Sequence, residues 1–136
     1  QRARRFAMQA IYQGHLTQGD TTVITEKFLA QEEMVSVDTA YFLSLVQGVL
    51  EDKVSLDTQL QLFLDRPLKE LDLVELAILR LGAYELSQHP EVPYKVILNE
   101  SIELAKMFGA TDSYKYINGI LHLLAKKIRV LEFKDK

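Results

Sequence analysis

Val92-Pro93-Tyr94-Lys95-Val96-Ile97-Leu98-Asn99-Glu100-Ser101-Ile102-Glu103-Leu104-Ala105-Lys106-Met107-Phe108-Gly109 runs straight into Ala110-Thr111-Asp112-Ser113-Tyr114-Lys115-Tyr116-Ile117-Asn118-Gly119. The first part reads as a helix with marked ends. Pro93 has the fixed φ suited to a first helical position, and Gly109 suits a left-handed residue just past the last turn. Asp112 then offers a carboxylate to cap the N-terminus of a second helix. The spacing predicts a helical hairpin, and the polar residues of its second arm are not those that packing would select.

Helical spacing continues over nearly the whole chain, with no sustained alternation of period two, so the expected fold is all-α. Helices are expected at about 3–16, 22–33, 38–54, 56–64, 72–87, 94–108 and 113–128, separated by ordinary punctuation such as Gly19-Asp20, Arg66-Pro67 and His89-Pro90. No linker or repeat divides them. The expectation is one domain over residues 1–130 with a charged, flexible tail at 131–136.

At 136 residues and 48% hydrophobic, the chain can build one real core. No apolar run is long enough for a membrane span, and no signal-peptide pattern stands at the start. The absence of cysteine excludes disulfides and thiol chemistry and fits a reducing cytoplasm. Because position 1 is not Met, residues upstream of Gln1 are expected to be missing.

The net charge of −3 hides segregation. Residues 1 to 16 carry three arginines and no acid; residues 17 to 92 carry five basic and fourteen acidic side chains; residues 93 to 136 carry eight basic and five acidic ones. If the fold joins the two basic ends, they make one positive face for a phosphate backbone, and the acidic middle suits a basic protein partner. Variation along a solvated surface is the plainer reading.

Individual helices sharpen this picture. Helix 72–87 is apolar on all sides, which places it inside the bundle, with Glu75 and Arg80 needing either solvent or partners. In the first helix Ala3, Ala7, Ala10 and Gly14 form a small-residue face for close helix contact. Opposite them lie Met8, Tyr12 and Leu16, a stripe that suits either core or a docking surface with a central Tyr anchor. Arg2, Arg4 and Arg5 crowd the wrong end of that helix for its dipole, and phosphate contact would account for them. In the last helix Ile117, Ile120, Leu121, Leu124 and Ile128 form the core stripe, with Lys115, His122 and Lys126 opposite. Tyr116 falls at the border, as a lid on the core or a stacking platform for an unpaired base. Gly119 inside this helix implies close packing or room for a ligand backbone.

Catalysis finds no support. His15, His89 and His122 are far apart in sequence, and no metal-ligand spacing, P-loop, GxGxxG or GxSxG motif occurs. No cofactor or metal is expected.

The pattern VPYKVxxNExIELAKxFG followed by DSxKxxNGxL resembles the signature of the NusB transcription antitermination family. The resemblance extends from Arg2-Ala3-Arg4-Arg5-Phe6-Ala7-Met8-Gln9-Ala10-Ile11-Tyr12 through Ala83-Tyr84-Glu85-Leu86 to Ile128-Arg129. It implies about seven helices in two small bundles and a cytoplasmic, non-catalytic protein. It also implies binding to boxA RNA of nascent ribosomal RNA, a heterodimer with the ribosomal protein NusE, and assembly with NusA and NusG on RNA polymerase. Position by position, it assigns RNA contact to Arg2, Arg4, Asp112, Lys115, Tyr116 and Asn118, and partner docking to Tyr12 and Glu75. Arg5 is placed with the RNA residues, and Met8 and Leu16 with the partner stripe. The chain departs from the family pattern at Arg5 and Thr111, where acidic residues are usual, and at Tyr116, where Phe is usual. Two rival readings are an isolated NusB-like domain of a ribosomal RNA methyltransferase and a helical adaptor that binds protein alone.

Overall fold

The computed structural model describes residues 2–134. It contains eight α-helices and two short 3-10 turns among those residues: α1 (Arg2–Thr17), α2 (Thr21–Leu29), a turn at Glu32–Ser36, α3 (Thr39–Glu51), α4 (Lys53–Gln61), a turn at Leu68–Glu70, α5 (Leu73–Gln88), α6 (Tyr94–Phe108), α7 (Ser113–Ile128) and α8 (Val130–Lys134). Helices α1, α2 and α3 pack as one small bundle, and α4 to α7 as a second, with α1 against α5 joining them. Both share one continuous core.

The predicted helices are present, with local differences that have physical causes. The helix expected at 22–33 stops at Leu29, and Glu32–Ser36 is a separate 3-10 turn that buries Met34. Asp52, at φ −108° and ψ 19°, ends α3 and begins α4, so the break falls earlier than expected. Asp20, Asp38 and Asp72 each accept a backbone N–H at the start of α2, α3 and α5, satisfying donors that a helix leaves unpaired.

Helix α5 is the central strut, with Leu76, Ala77, Ile78, Leu79, Leu81, Gly82, Ala83 and Leu86 all buried. Its C-terminus is held by Arg129, whose buried guanidinium donates to the carbonyls of Leu86 (2.9 Å), His89 (3.0 Å) and Val92 (2.9 Å). A side chain forty residues downstream thus caps the carbonyls that the helix itself leaves unpaired.

The expected flexible tail is corrected over residues 131–134. They belong to α8, where Phe133 stacks on Tyr94 at 4.3 Å and Glu132 accepts the Tyr94 backbone N–H at 3.0 Å. Asp135 and Lys136 of that expected tail lie outside the described residues, as does Gln1.

Candidate nucleic-acid and partner interface

The hairpin of α6 and α7 forms as predicted, but by different local devices. Gly109 is extended, at φ −89° and ψ 173°, rather than left-handed. It is a glycine because a Cβ there would stand 2.6 Å from Ser113 Oγ and 2.7 Å from the Ala105 carbonyl oxygen. The left-handed residue is Asp112, at φ 67°, and its side chain makes no capping hydrogen bond. That conformation turns the carboxylate outward, 3.6 Å from the Lys115 ammonium, with both side chains about two-thirds exposed.

Beyond this turn the residues of the predicted RNA surface follow one another along α7. Lys115 is exposed, and Tyr116 and Asn118 are half-buried. The Tyr116 ring packs on the edge of the core. Its hydroxyl donates to Asp65 Oδ1 at 2.9 Å, and the Arg66 guanidinium lies 4.9 Å from the ring centroid. Gly119 has open space where its Cβ would be. Close packing therefore does not explain it. Gly119→Ala is expected to raise the unfolding free energy by up to about 1 kcal/mol, through helix propensity alone, as read from the urea midpoint at constant m-value.

The three arginines of α1 divide. Arg2 is exposed and donates to Ser36 Oγ and to the Glu33 carbonyl. Arg5 is half-buried over the Phe6 ring, and with Arg2 it lines a small cleft against Glu100, Glu103 and Met107 of α6. Arg4 corrects the expectation. It is buried, with Nε 3.0 and 2.9 Å from the two carboxylate oxygens of Glu85 and one amino nitrogen 3.9 Å from Glu100. Burial works against its charge, yet Glu85 outweighs burial and holds the guanidinium more firmly charged than usual. In this position it is engaged inside the protein and does not face a phosphate.

A second feature lies further along α1. Tyr12 and Leu16, with Gln9, Gln13, Phe28, Val74 and Phe108, line a groove of about 430 Å³. Leu16 is 57% exposed, an unusual state for a large apolar side chain beside other apolar ones. Met8 forms the floor of this groove but is buried, so its assignment to a partner contact is corrected: its thioether is core. Glu75 sits in the first turn of α5 next to Val74, where its N–H donates to Asp72 at 2.8 Å. Partial burial, then the Asp72 charge, raise its carboxyl above the usual range. Such a carboxylate gains from a basic group brought by a partner.

Arg80, flagged in the sequence as needing a partner, has two. Asp57 receives it in fork geometry at 2.8 and 2.7 Å, and its third nitrogen lies 3.1 Å from His15 Nε2. Burial, then the charges of Arg80 and Lys53, push the His15 pKa down from 6.5 to about 4. Between those values the unfolded chain binds the proton that the folded chain refuses, so stability rises with pH across that window and falls as the solution is acidified. One such proton is worth at most about 1.4 kcal/mol per pH unit. Urea midpoints taken from pH 4 to 7 are expected to climb, and His15→Gln to remove this part of the slope.

Sequence reasoning missed Asp65 and Arg66 at this surface and Arg129 in the core. Arg66 stood next to a proline in an expected loop, and nothing local pointed it at a tyrosine fifty residues away. No cluster of His, Asp or Glu able to hold a metal ion is found among the described residues, and no helix among them is long and apolar enough to cross a membrane.

The bundle therefore presents a cationic, aromatic helix start and a separate apolar groove, the surface of an all-helical binding protein. The NusB family pattern matches residues 1–126. The chain belongs to the NusB family. It is 49% identical over 135 residues to the transcription antitermination protein NusB of Alcanivorax borkumensis, covering 99% of this chain and 90% of that protein. Its fold matches that of T. maritima NusB with a TM-score of 0.86 at 26% identity, covering 98% of this chain and 95% of that one. A crystal structure of the antitermination factors NusB and NusE in complex with dsRNA matches with a TM-score of 0.84 at 21% identity, over 92% of this chain and 94% of that chain.

Proposed function

We propose that this chain binds boxA RNA of nascent ribosomal RNA transcripts as a heterodimer with the ribosomal protein NusE. With NusA and NusG, the complex joins RNA polymerase and lets it pass terminators. The chain works in the cytoplasm as a single RNA-binding domain, catalyses no reaction, and uses no cofactor or metal. Arg2, Arg5, Lys115, Tyr116 and Asn118 meet the RNA, with Asp112 at its edge; Tyr12, Leu16 and Glu75 meet the partner.

One observation carries this reading: the apolar groove and the RNA hairpin adjoin. Phe108 lines the groove and is also the last residue of α6, at the turn from which Asp112 and Lys115 project. A partner seated on Tyr12 and Leu16 thus stands beside the RNA site and can add contacts to the same strand, which makes binding cooperative without any change of shape. The relatives' name as transcription antitermination proteins and the NusB–NusE–dsRNA neighbour support the same reading.

The test is transcription through a terminator placed downstream of a boxA element, with purified polymerase, NusA, NusG and NusE. Adding this chain is expected to raise read-through on the boxA template and not on one with a scrambled element. Equal read-through on both templates would reject the proposal.

A further inference from the structure

The Tyr116 ring, the stacking surface of the proposed RNA site, is not bare. Arg66 lies over it at 4.9 Å, and Asp65 ties the two together. The carboxylate accepts from Arg66 Nε at 2.8 Å and from a terminal guanidinium nitrogen at 3.3 Å, and it accepts the Tyr116 hydroxyl at 2.9 Å. The backbone of Arg66 is anchored as well, since its carbonyl accepts from Gln61 Nε2 at 3.2 Å. The side chains of Arg66 and Asp65 remain 43% and 64% exposed.

We propose that Arg66 is a further RNA-binding residue, and that Asp65 parks it on Tyr116 in the free protein until an RNA phosphate takes the carboxylate's place. The inference rests on the RNA-binding reading above and deepens it. A guanidinium fork fits carboxylate and phosphate with the same two-pronged geometry, so the exchange replaces one acceptor by another of like shape. The pair being broken is exposed, and exposed pairs are weak. Once Arg66 has followed the phosphate, the ring face it covered is open to a base, and the guanidinium plane itself can stack.

Asp65 is more than a passive holder. The hydrogen bonds from Arg66, then from Tyr116, hold its pKa down at about 2, so it stays ionised wherever RNA binding is measured. It therefore repels incoming phosphate as well as competing for Arg66. Lys115, next to Tyr116 in sequence, repeats the arrangement with Asp112 at 3.6 Å, on an exposed carboxylate.

The experiment is an RNA titration of the full chain with NusE, using a boxA oligonucleotide over a series of salt concentrations, for wild type, Arg66→Ala and Asp65→Asn. Arg66→Ala is expected to weaken binding about tenfold and to flatten the log–log salt dependence by about 0.7, as for one lost contact to single-stranded RNA. Asp65→Asn is expected to tighten binding several-fold, because it frees Arg66 and removes a like charge. Melting temperatures should stay unchanged, since both side chains are exposed. A wild-type pair that binds no RNA overturns both this assignment and the function above. Wild-type binding with an unaltered or stronger Arg66→Ala variant overturns the Arg66 assignment alone, and so does an Asp65→Asn variant that binds no tighter than wild type.

Discussion

Glu85→Ala is expected to lower the unfolding free energy by about 3–5 kcal/mol. Glu85 is 2% exposed and carries the Arg4 guanidinium at 3.0 and 2.9 Å and the Tyr41 hydroxyl at 2.5 Å. Burial, then the hydrogen bond to this carboxylate, push the Tyr41 hydroxyl well above its ordinary pKa. Truncating the acid leaves a buried cation with no counter-charge beyond Glu100 at 3.9 Å. An uncompensated buried charge costs far more than the intact pair contributes. Urea unfolding with an unchanged m-value checks the figure. A double variant, Arg4→Met with Glu85→Leu, is expected to recover most of the loss, because it removes both charges together. A loss under about 1 kcal/mol for Glu85→Ala would show that Arg4 can leave its site for water. The result bears on function, since weakened RNA binding by an Arg4→Ala variant reports on the fold, whereas Arg2 and Arg5 can be replaced without that penalty.

Tyr12→Ala is expected to weaken the complex with NusE by about 2 kcal/mol or more, roughly 30-fold. Tyr12 is half-buried and lines the groove together with the apolar Leu16, Phe28, Val74 and Phe108. A large amphipathic ring inside an apolar rim is the setting in which truncation costs most, because the rim keeps water from replacing the lost contact. Calorimetric titration of NusE into variants of unchanged melting temperature measures it. Unchanged affinity would make the Tyr12 ring a cover for Met8 and Phe28 and nothing more.

Much of this was legible in the sequence because it is local. The all-round apolar α5 and the core stripe of α7 follow from residue spacing within one or two turns, and each stands where the pattern placed it. What stayed hidden depends on distant pairs. Arg4 looked like part of an exposed basic cluster because its acceptor, Glu85, is 81 residues away. Met8 shared a stripe with Tyr12 and Leu16, but helical spacing assigns a side and not a depth; the position of Phe28 and Val74 decides that Met8 is floor while Leu16 is open. The hairpin shows the same division within four residues. A turn between Gly109 and Ser113 was readable, yet the positive φ falls on Asp112, and Gly109 is required instead because Ser113 and the Ala105 carbonyl leave no room for a Cβ.

The acidic middle of the chain fits the same account. Its carboxylates cap helices, hold Arg4, Arg66 and Arg80, and leave the start of α7 as the place where cations and an aromatic ring meet at the surface. In the function proposed for this chain, that surface is where RNA binds.

The most direct measurement is fluorescence anisotropy of a labelled boxA oligonucleotide titrated with the full chain, with and without NusE, beside a scrambled oligonucleotide of the same length. Weak binding alone, tighter binding with NusE and a clear preference for boxA are the predicted result; equal affinity for both oligonucleotides with no gain from NusE would contradict it.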